Sequence, residues 1–76
     1  MDFITVTSIG GSLWSIRKDR IEVITNRFVF SEDELTHIPE LTGRQSCAII
    51  KLIGDSSTYY CQDSYESIMS QIVEDQ

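Results

Sequence analysis

Short runs rich in β-branched residues fill the first part of the chain, and a helical spacing closes it. Phe3 to Ile9 and Ser12 to Ile16 are strand-like, and Gly10-Gly11 between them supplies the positive φ that tight hairpin turns need. The pattern predicts two antiparallel neighbours. Ile21-Glu22-Val23-Ile24 alternates apolar and polar positions and predicts a third strand, which Arg27-Phe28-Val29-Phe30 prolongs after a bend at Thr25-Asn26. Cys47 to Gln62 predicts a second hairpin, closing over Gly54-Asp55-Ser56-Ser57 with Ile53 opposite Thr58. Tyr65, Ile68, Met69, Ile72 and Val73 then recur at i, i+3, i+4, i+7 and i+8, the spacing of one face of a helix over residues 63–73. Asp63 is the expected N-cap, with Glu66 reaching back in a capping box.

Between residues 25 and 46 the pattern is mixed. Ser31-Glu32-Asp33-Glu34 has the Ser-x-x-Glu form of a capping box and predicts a short helical turn over Glu32 to His37, which Pro39 ends. Glu40 to Gln45 reads as loop. The element order predicts a single α+β domain over residues 1–76. Its expected architecture is a small antiparallel sheet of about five strands, curved enough to approach a barrel, with the C-terminal helix packed on it and all five stripe residues buried. The variable excursion at 25–46 is the expected protein-specific binding surface, because long connections in small domains are often functional.

Composition narrows the class. Hydrophobic residues make up 41% of the chain and charged residues 24%, an ordinary globular balance. Six Lys and Arg against twelve Asp and Glu give a net charge of −6. Phosphate backbones are therefore disfavoured as partners, since affinity for them comes from Lys and Arg displacing counterions. The acidic balance suits a protein partner with a basic surface, or simply a solvated exterior. No apolar run reaches the roughly 20 residues that span a bilayer, and Met1-Asp2-Phe3 lacks the basic start of a signal peptide, so no membrane role and a cytoplasmic location are expected. A domain of this size buries little surface on folding, and a homo-oligomer, most simply a dimer, is the expected way to cover the remainder.

The expected hairpin register places Cys61 opposite Ile50 and Cys47 three positions further out, roughly 10 Å away and too far for a disulfide. Free thiols are expected. His37 has no positioned partner, Cys61 lies in a strand with no His near it in sequence, and one His with two separated Cys does not make a zinc site. Gly10-Gly11 lacks the frame of a phosphate loop. The chain is expected to be no enzyme and to hold no cofactor and no metal. Two charged groups remain as candidate binding surfaces. Glu32, Asp33, Glu34 and Glu40 form the acidic excursion. Arg17, Lys18, Arg20 and Arg44 could hold an anion beside aromatics such as Trp14, Tyr59 or Tyr60, although Arg17 to Arg20 also reads as a solvated turn and Trp14 as a core residue.

Ile4-x-Val6, Gly11, Trp14-x-Ile16, Arg20-Ile21-Glu22-x-Ile24, Ile49-x-Lys51-Leu52-x-Gly54, Tyr59 or Tyr60, and Ser64-x-Glu66-x-Ile68 together resemble a small bacterial and phage module, of which the flagellar FlbD-type proteins are the named family. The resemblance covers most of residues 3–24 and 48–73, and the stretch from Thr25 to Cys47 departs from it. It implies the same sheet-and-helix fold and a non-catalytic regulatory or interaction protein, often oligomeric. Three functions are therefore expected in turn: a binding regulator or inhibitor of a host protein or defence complex, such as a phage product; an oligomer that sequesters an anionic nucleotide-like ligand; and a FlbD-like motility regulator.

Overall fold

The computed structural model describes residues 2–73. Strands β1 (Phe3–Thr7) and β2 (Leu13–Arg17) lead through a 3-10 turn at Lys18–Arg20 into β3 (Ile21–Arg27). Helix α1 (Glu32–His37) and a second 3-10 turn (Pro39–Leu41) follow, then β4 (Cys47–Leu52), β5 (Thr58–Cys61) and helix α2 (Tyr65–Val73). The fold is α+β, as expected, but its five strands form two antiparallel sheets, β1-β2 and β3-β4-β5, rather than one curved sheet. No closed barrel forms. The sheets meet at one corner, where Ser8 bridges Cys61, the Ile9 N–H donates to Tyr60 O at 2.9 Å, and the Gln62 N–H donates to Thr7 O at 2.8 Å.

Two cores lie on opposite faces of the three-stranded sheet. The first holds Ile4, Val6 and Ile16 against Ala48, Ile50, Cys61 and Ile68. The second holds Leu41, Cys47 and Ile49, with Phe30, Leu35, Ile38 and Tyr60 packed on them. The central strand β4 is therefore covered on both sides, which is the physical reason its apolar run Cys47-Ala48-Ile49-Ile50 does not alternate. Of the variable excursion expected at 25–46, residues 25–27 complete β3 and residues 28–46 form the layer that covers the far face, with Leu41 buried in a 3-10 turn where a loop was expected.

Several local expectations shift by a residue or two. The hairpin pairs Lys51 with Thr58 and Ala48 with Cys61, not Ile53 with Thr58. The Ile53 N–H donates instead to Arg20 O at 2.8 Å, and Gly54 turns the chain at φ +76°, so the loop is longer than the glycine alone implies. In β3 the irregularity is a register shift between Ile21 and Val23 rather than a bend at Thr25-Asn26. The extra residue reverses the alternation, so Ile21 and Ile24 face the core and Val23 faces out. The strand stops at Arg27, and Phe28 and Val29 stand 68% and 79% exposed instead of prolonging it.

At α2 the capping role belongs to Ser64, whose Oγ accepts from the Ser67 N–H at 3.1 Å. Asp63 is taken by β1, accepting from the Thr7 N–H at 2.6 Å. The helix stripe is only partly inward: Ile68 is buried, Tyr65 and Ile72 pack at the edge of the first core, Met69 is half-buried, and Val73 is exposed. Gln71 bonds both backbone groups of Thr5, accepting from its N–H and donating to its C=O, each at 2.8 Å. One helical side chain thus takes the place of a neighbouring strand.

Cys47 and Cys61 are both free and buried, and they point into different cores. Cys47 donates its thiol to Cys61 O at 3.4 Å, across the strand pair. Burial pushes the Cys61 thiol up to about 12. Neither side chain is expected to react with iodoacetamide in the folded protein, while both should be modified once it is unfolded in guanidinium. Mass spectrometry that finds an intact bridge after non-reducing unfolding would contradict this arrangement.

Candidate functional site

The edges of the two sheets differ in what covers them. Hydrogen bonds from the Lys18 N–H to Asp2 O at 2.8 Å and from the Ser8 N–H to Ser12 O at 2.6 Å bracket the β1-β2 ladder. Thr5 turns its backbone groups away from β2 toward Gln71. In the alternation of an antiparallel ladder, the pairs Phe3 with Arg17, Thr5 with Ser15, and Thr7 with Leu13 are then the ones not bonded to each other. The N–H and C=O groups of Leu13, Ser15 and Arg17 therefore point away from β1, to the open side of β2.

A groove of about 440 Å³ runs along that side. All five residues of β2 line it, those of both strand faces included, so it follows the edge of the strand rather than one surface of the sheet. Leu52, Tyr59 and Arg20 complete the lining. Trp14 packs edge-on against Tyr59, ring centroids 5.0 Å apart and planes at 85°, so it is both a member of the core periphery and a groove wall. Tyr59 is fixed from its other end, where its hydroxyl donates to Asp55 Oδ2 at 2.8 Å. Tyr59 is therefore held from two sides, by Trp14 within the groove and by Asp55 outside it.

The candidate cations separate in space. Arg17 and Arg20 line the groove, but Arg17 is bidentate to Asp19 at 2.9 and 3.0 Å, and Arg20 donates to Ile53 O at 3.3 Å. Lys18 reaches Ile72 O at 3.3 Å, and Arg44 turns to Ser46 O and Gln62 O. Of the expected anion-binding residues, Trp14, Tyr59, Arg17 and Arg20 are brought together while Lys18, Arg44 and Tyr60 are not.

The acidic group also divides. Glu32, Asp33 and Glu40 are exposed. Glu34 is committed to the fold: it accepts from both terminal nitrogens of Arg27 at 2.6 Å, from the Ser31 N–H at 3.0 Å and from the Tyr60 hydroxyl at 2.7 Å. Arg27, then the Ser31 backbone and Tyr60, hold its carboxyl at about 2, well below the ordinary range. Ser31 Oγ accepts from the Glu34 N–H in return, so the expected capping box is present. His37 is exposed, with Nδ1 2.8 Å from Asp33 O. Among the described residues no three His, Cys, Asp or Glu side chains converge on one point, and no helix is long and apolar enough to cross a membrane.

Leu13, Ser15, Ile16 and Leu52 were not legible in the sequence as site residues. Leu13 and Ser15 carry a faint signal, as an outward-facing pair on a strand with neither proline nor lysine to blunt its edge. Leu52 carries none, because its place depends on the β4-β5 register. The site and fold together define a two-sheet α+β domain with a groove along one open strand edge. No known protein family, curated protein or solved structure matches the chain.

Proposed function

We propose that the protein acts by binding rather than turnover, as a small cytoplasmic regulator or inhibitor that captures an extended segment of a protein partner along β2. The observation that carries this reading is the open β2 edge running beside the Trp14, Leu52 and Tyr59 wall. Strand addition draws affinity from main-chain hydrogen bonds and specificity from pockets for alternate side chains, and the groove supplies both. Arg20 favours carboxylates on the segment. The exposed Glu32, Asp33 and Glu40 lie in the layer beyond β4 and suit a basic surface elsewhere on the same partner. Self-association of the protein belongs to the same reading, since Leu13 leaves a large apolar side chain in water on the same strand.

A random-peptide display selection on the immobilised protein tests the reading. Enriched peptides should alternate apolar and acidic residues. Ser15→Pro, which removes an edge N–H without touching the β1 ladder, should weaken them at least tenfold. Arg20→Glu should weaken them and flatten their salt dependence. Failure to enrich any sequence, or peptides that bind the Ser15→Pro variant equally well, would overturn it.

Sequestration of an anionic nucleotide-like ligand is a second reading, favoured by the presence of two aromatic rings and two guanidinium groups in one groove. Against it, Asp19 already neutralises Arg17, and Trp14 and Tyr59 use each other as ring partners. Competition of the selected peptides by a nucleotide panel separates the two.

A further inference from the structure

Among the described residues, the strand edges other than that of β2 are largely closed or blunted. On β1, Gln71 takes both backbone groups of Thr5, while Asp63 and Gln62 take those of Thr7. The end of β5 is bridged by Ser8 and Ile9. The outer edge of β3 carries the register shift at Glu22, which twists an edge out of the plane that a new strand needs. β2 has five residues in unbroken register, and its edge is engaged at one end alone, where the 3-10 turn starts from the Arg17 C=O.

We propose that in the absence of a partner a second copy of this chain closes that edge, the two β2 strands pairing antiparallel about a two-fold axis at Ser15. In this register Ser15 faces its own symmetry mate and Leu13 faces Arg17 of the other copy. Leu13 and Ser15 each present one donor and one acceptor, and Arg17 presents its N–H, while its C=O already accepts the first bond of the 3-10 turn and keeps one lone pair for a second donor. All of these groups are then satisfied in reciprocal pairs. Sliding the strands by two residues leaves one residue at each end of the ladder unpaired within β2, and sliding them until Arg17 meets Arg17 opposes like charges.

The side chains agree with the same register. On the groove face Trp14 lies opposite Ile16 of the other copy, an aromatic and β-branched pair of the kind that stabilises strand pairing. On the other face the aliphatic stem of Arg17 covers Leu13, which is 73% exposed in the single chain. Ser15 is small enough to sit on the axis. Two chains of net charge −6 repel each other, and the β2 end of the molecule, beside three of its six basic residues, is where that repulsion is least.

The pairing rests on the reading of this edge as the binding surface, and it adds a regulatory consequence. One edge accepts one strand, so dimer formation and partner capture exclude each other, and a captured segment must release a monomer.

Disulfide trapping tests the register. A hydrogen-bonded antiparallel pair places its Cα atoms about 5.5 Å apart, within disulfide reach. Ser15→Cys should therefore oxidise to a covalent dimer under native conditions, where Cys47 and Cys61 are buried. Val29→Cys, which samples the other exposed apolar patch, should not. Sedimentation at micromolar concentration should show a wild-type dimer and a Ser15→Pro monomer with an unchanged circular dichroism spectrum. A monomeric wild type, a Ser15→Pro dimer, or trapping through Val29→Cys alone would overturn the pairing. Peptides from the display selection separate its failure from that of the partner reading. If peptides bind a wild type that never dimerises, only the pairing falls. If the trapped dimer forms and no peptide is ever selected, the pairing stands and partner capture falls. A peptide that binds β2 while the dimer persists would overturn their mutual exclusion.

Discussion

Replacing Ile68 and Ile72 together with Asp should abolish the cooperative unfolding transition. Ile68 is fully buried among Ile4, Val6, Ile16 and Ile50, and Ile72 packs against the same cluster. A carboxylate at Ile68 either loses its hydration with no partner in reach or forces α2 off the sheets, and either outcome costs several kcal/mol. At roughly 0.05 to 0.15 kcal/mol per residue, the whole domain holds about 4 to 11 kcal/mol. The double substitution therefore exhausts the stability. A graded version is Ile68→Ala, expected to cost about 2 to 5 kcal/mol through lost burial and the cavity left behind. Its melting temperature should fall by roughly 10 °C or more, since about 1 kcal/mol shifts a domain of this size by ~4 to 8 °C. Val73→Asp is the control: Val73 belongs to the same helical stripe but is 55% exposed, so its melt should match wild type. Thermal denaturation followed by circular dichroism decides between these outcomes. A double variant that melts cooperatively near the wild-type temperature would refute the packing of α2.

Glu34→Gln should loosen the layer over the far face of β4 and remove a part of the protein's acid sensitivity. The carboxylate joins Arg27 of β3, the α1 cap and Tyr60 of β5, so one group ties three elements to the second core. Its pKa is lowered from 4.5 to about 2 by the Arg27 pairing first, then the Ser31 backbone and Tyr60. A lowered folded-state value means that the stabilisation is fully present above the unfolded value and is lost as the pH falls from about 4.5 toward 2. The Glu34 side chain is 17% exposed and Arg27 37% exposed, so solvent screening reduces the effect, to on the order of 1 to 2 kcal/mol. Wild-type stability should decline over that pH window, and the Glu34→Gln variant should start lower and decline less. Amide exchange at Ile38 and Leu41 should accelerate more than at Ile4 and Ile50, because only the second core depends on this group. Identical acid limbs in the two proteins would show that the carboxylate contributes nothing to the fold. The same geometry governs any charge-reversal test of the acidic face. Glu32, Asp33 and Glu40 can be reversed without opening the core, whereas including Glu34 would confuse binding with stability.

Much of the local structure was legible along the chain, because local signals act over a few residues. Gly10-Gly11 marks the first hairpin, Ser31 and Glu34 mark the capping box, Pro39 ends α1, and the changed period from Tyr65 marks α2. Two local expectations failed where one polar group had two suitors. Ile53 leaves the β4-β5 ladder for Arg20, and Asp63 leaves the helix cap for Thr7, so Ser64 takes its place. Neither competing partner lies within 30 residues in sequence, and no window of the chain contains both.

By itself, then, the sequence determined the α+β class, the element order and the absence of any recognisable catalytic motif, all of which follow from residue type and period. Tertiary structure alone decided the rest. It split five strands into two sheets and placed residues 28–46 as the cover of a second core. It withdrew Glu34 from the acidic surface, and it assembled Trp14, Arg20, Leu52 and Tyr59 around an open strand edge. The physical reason is the same in each case: which face of a strand is covered, and which edge is left bare, depends on what the rest of the chain brings against it.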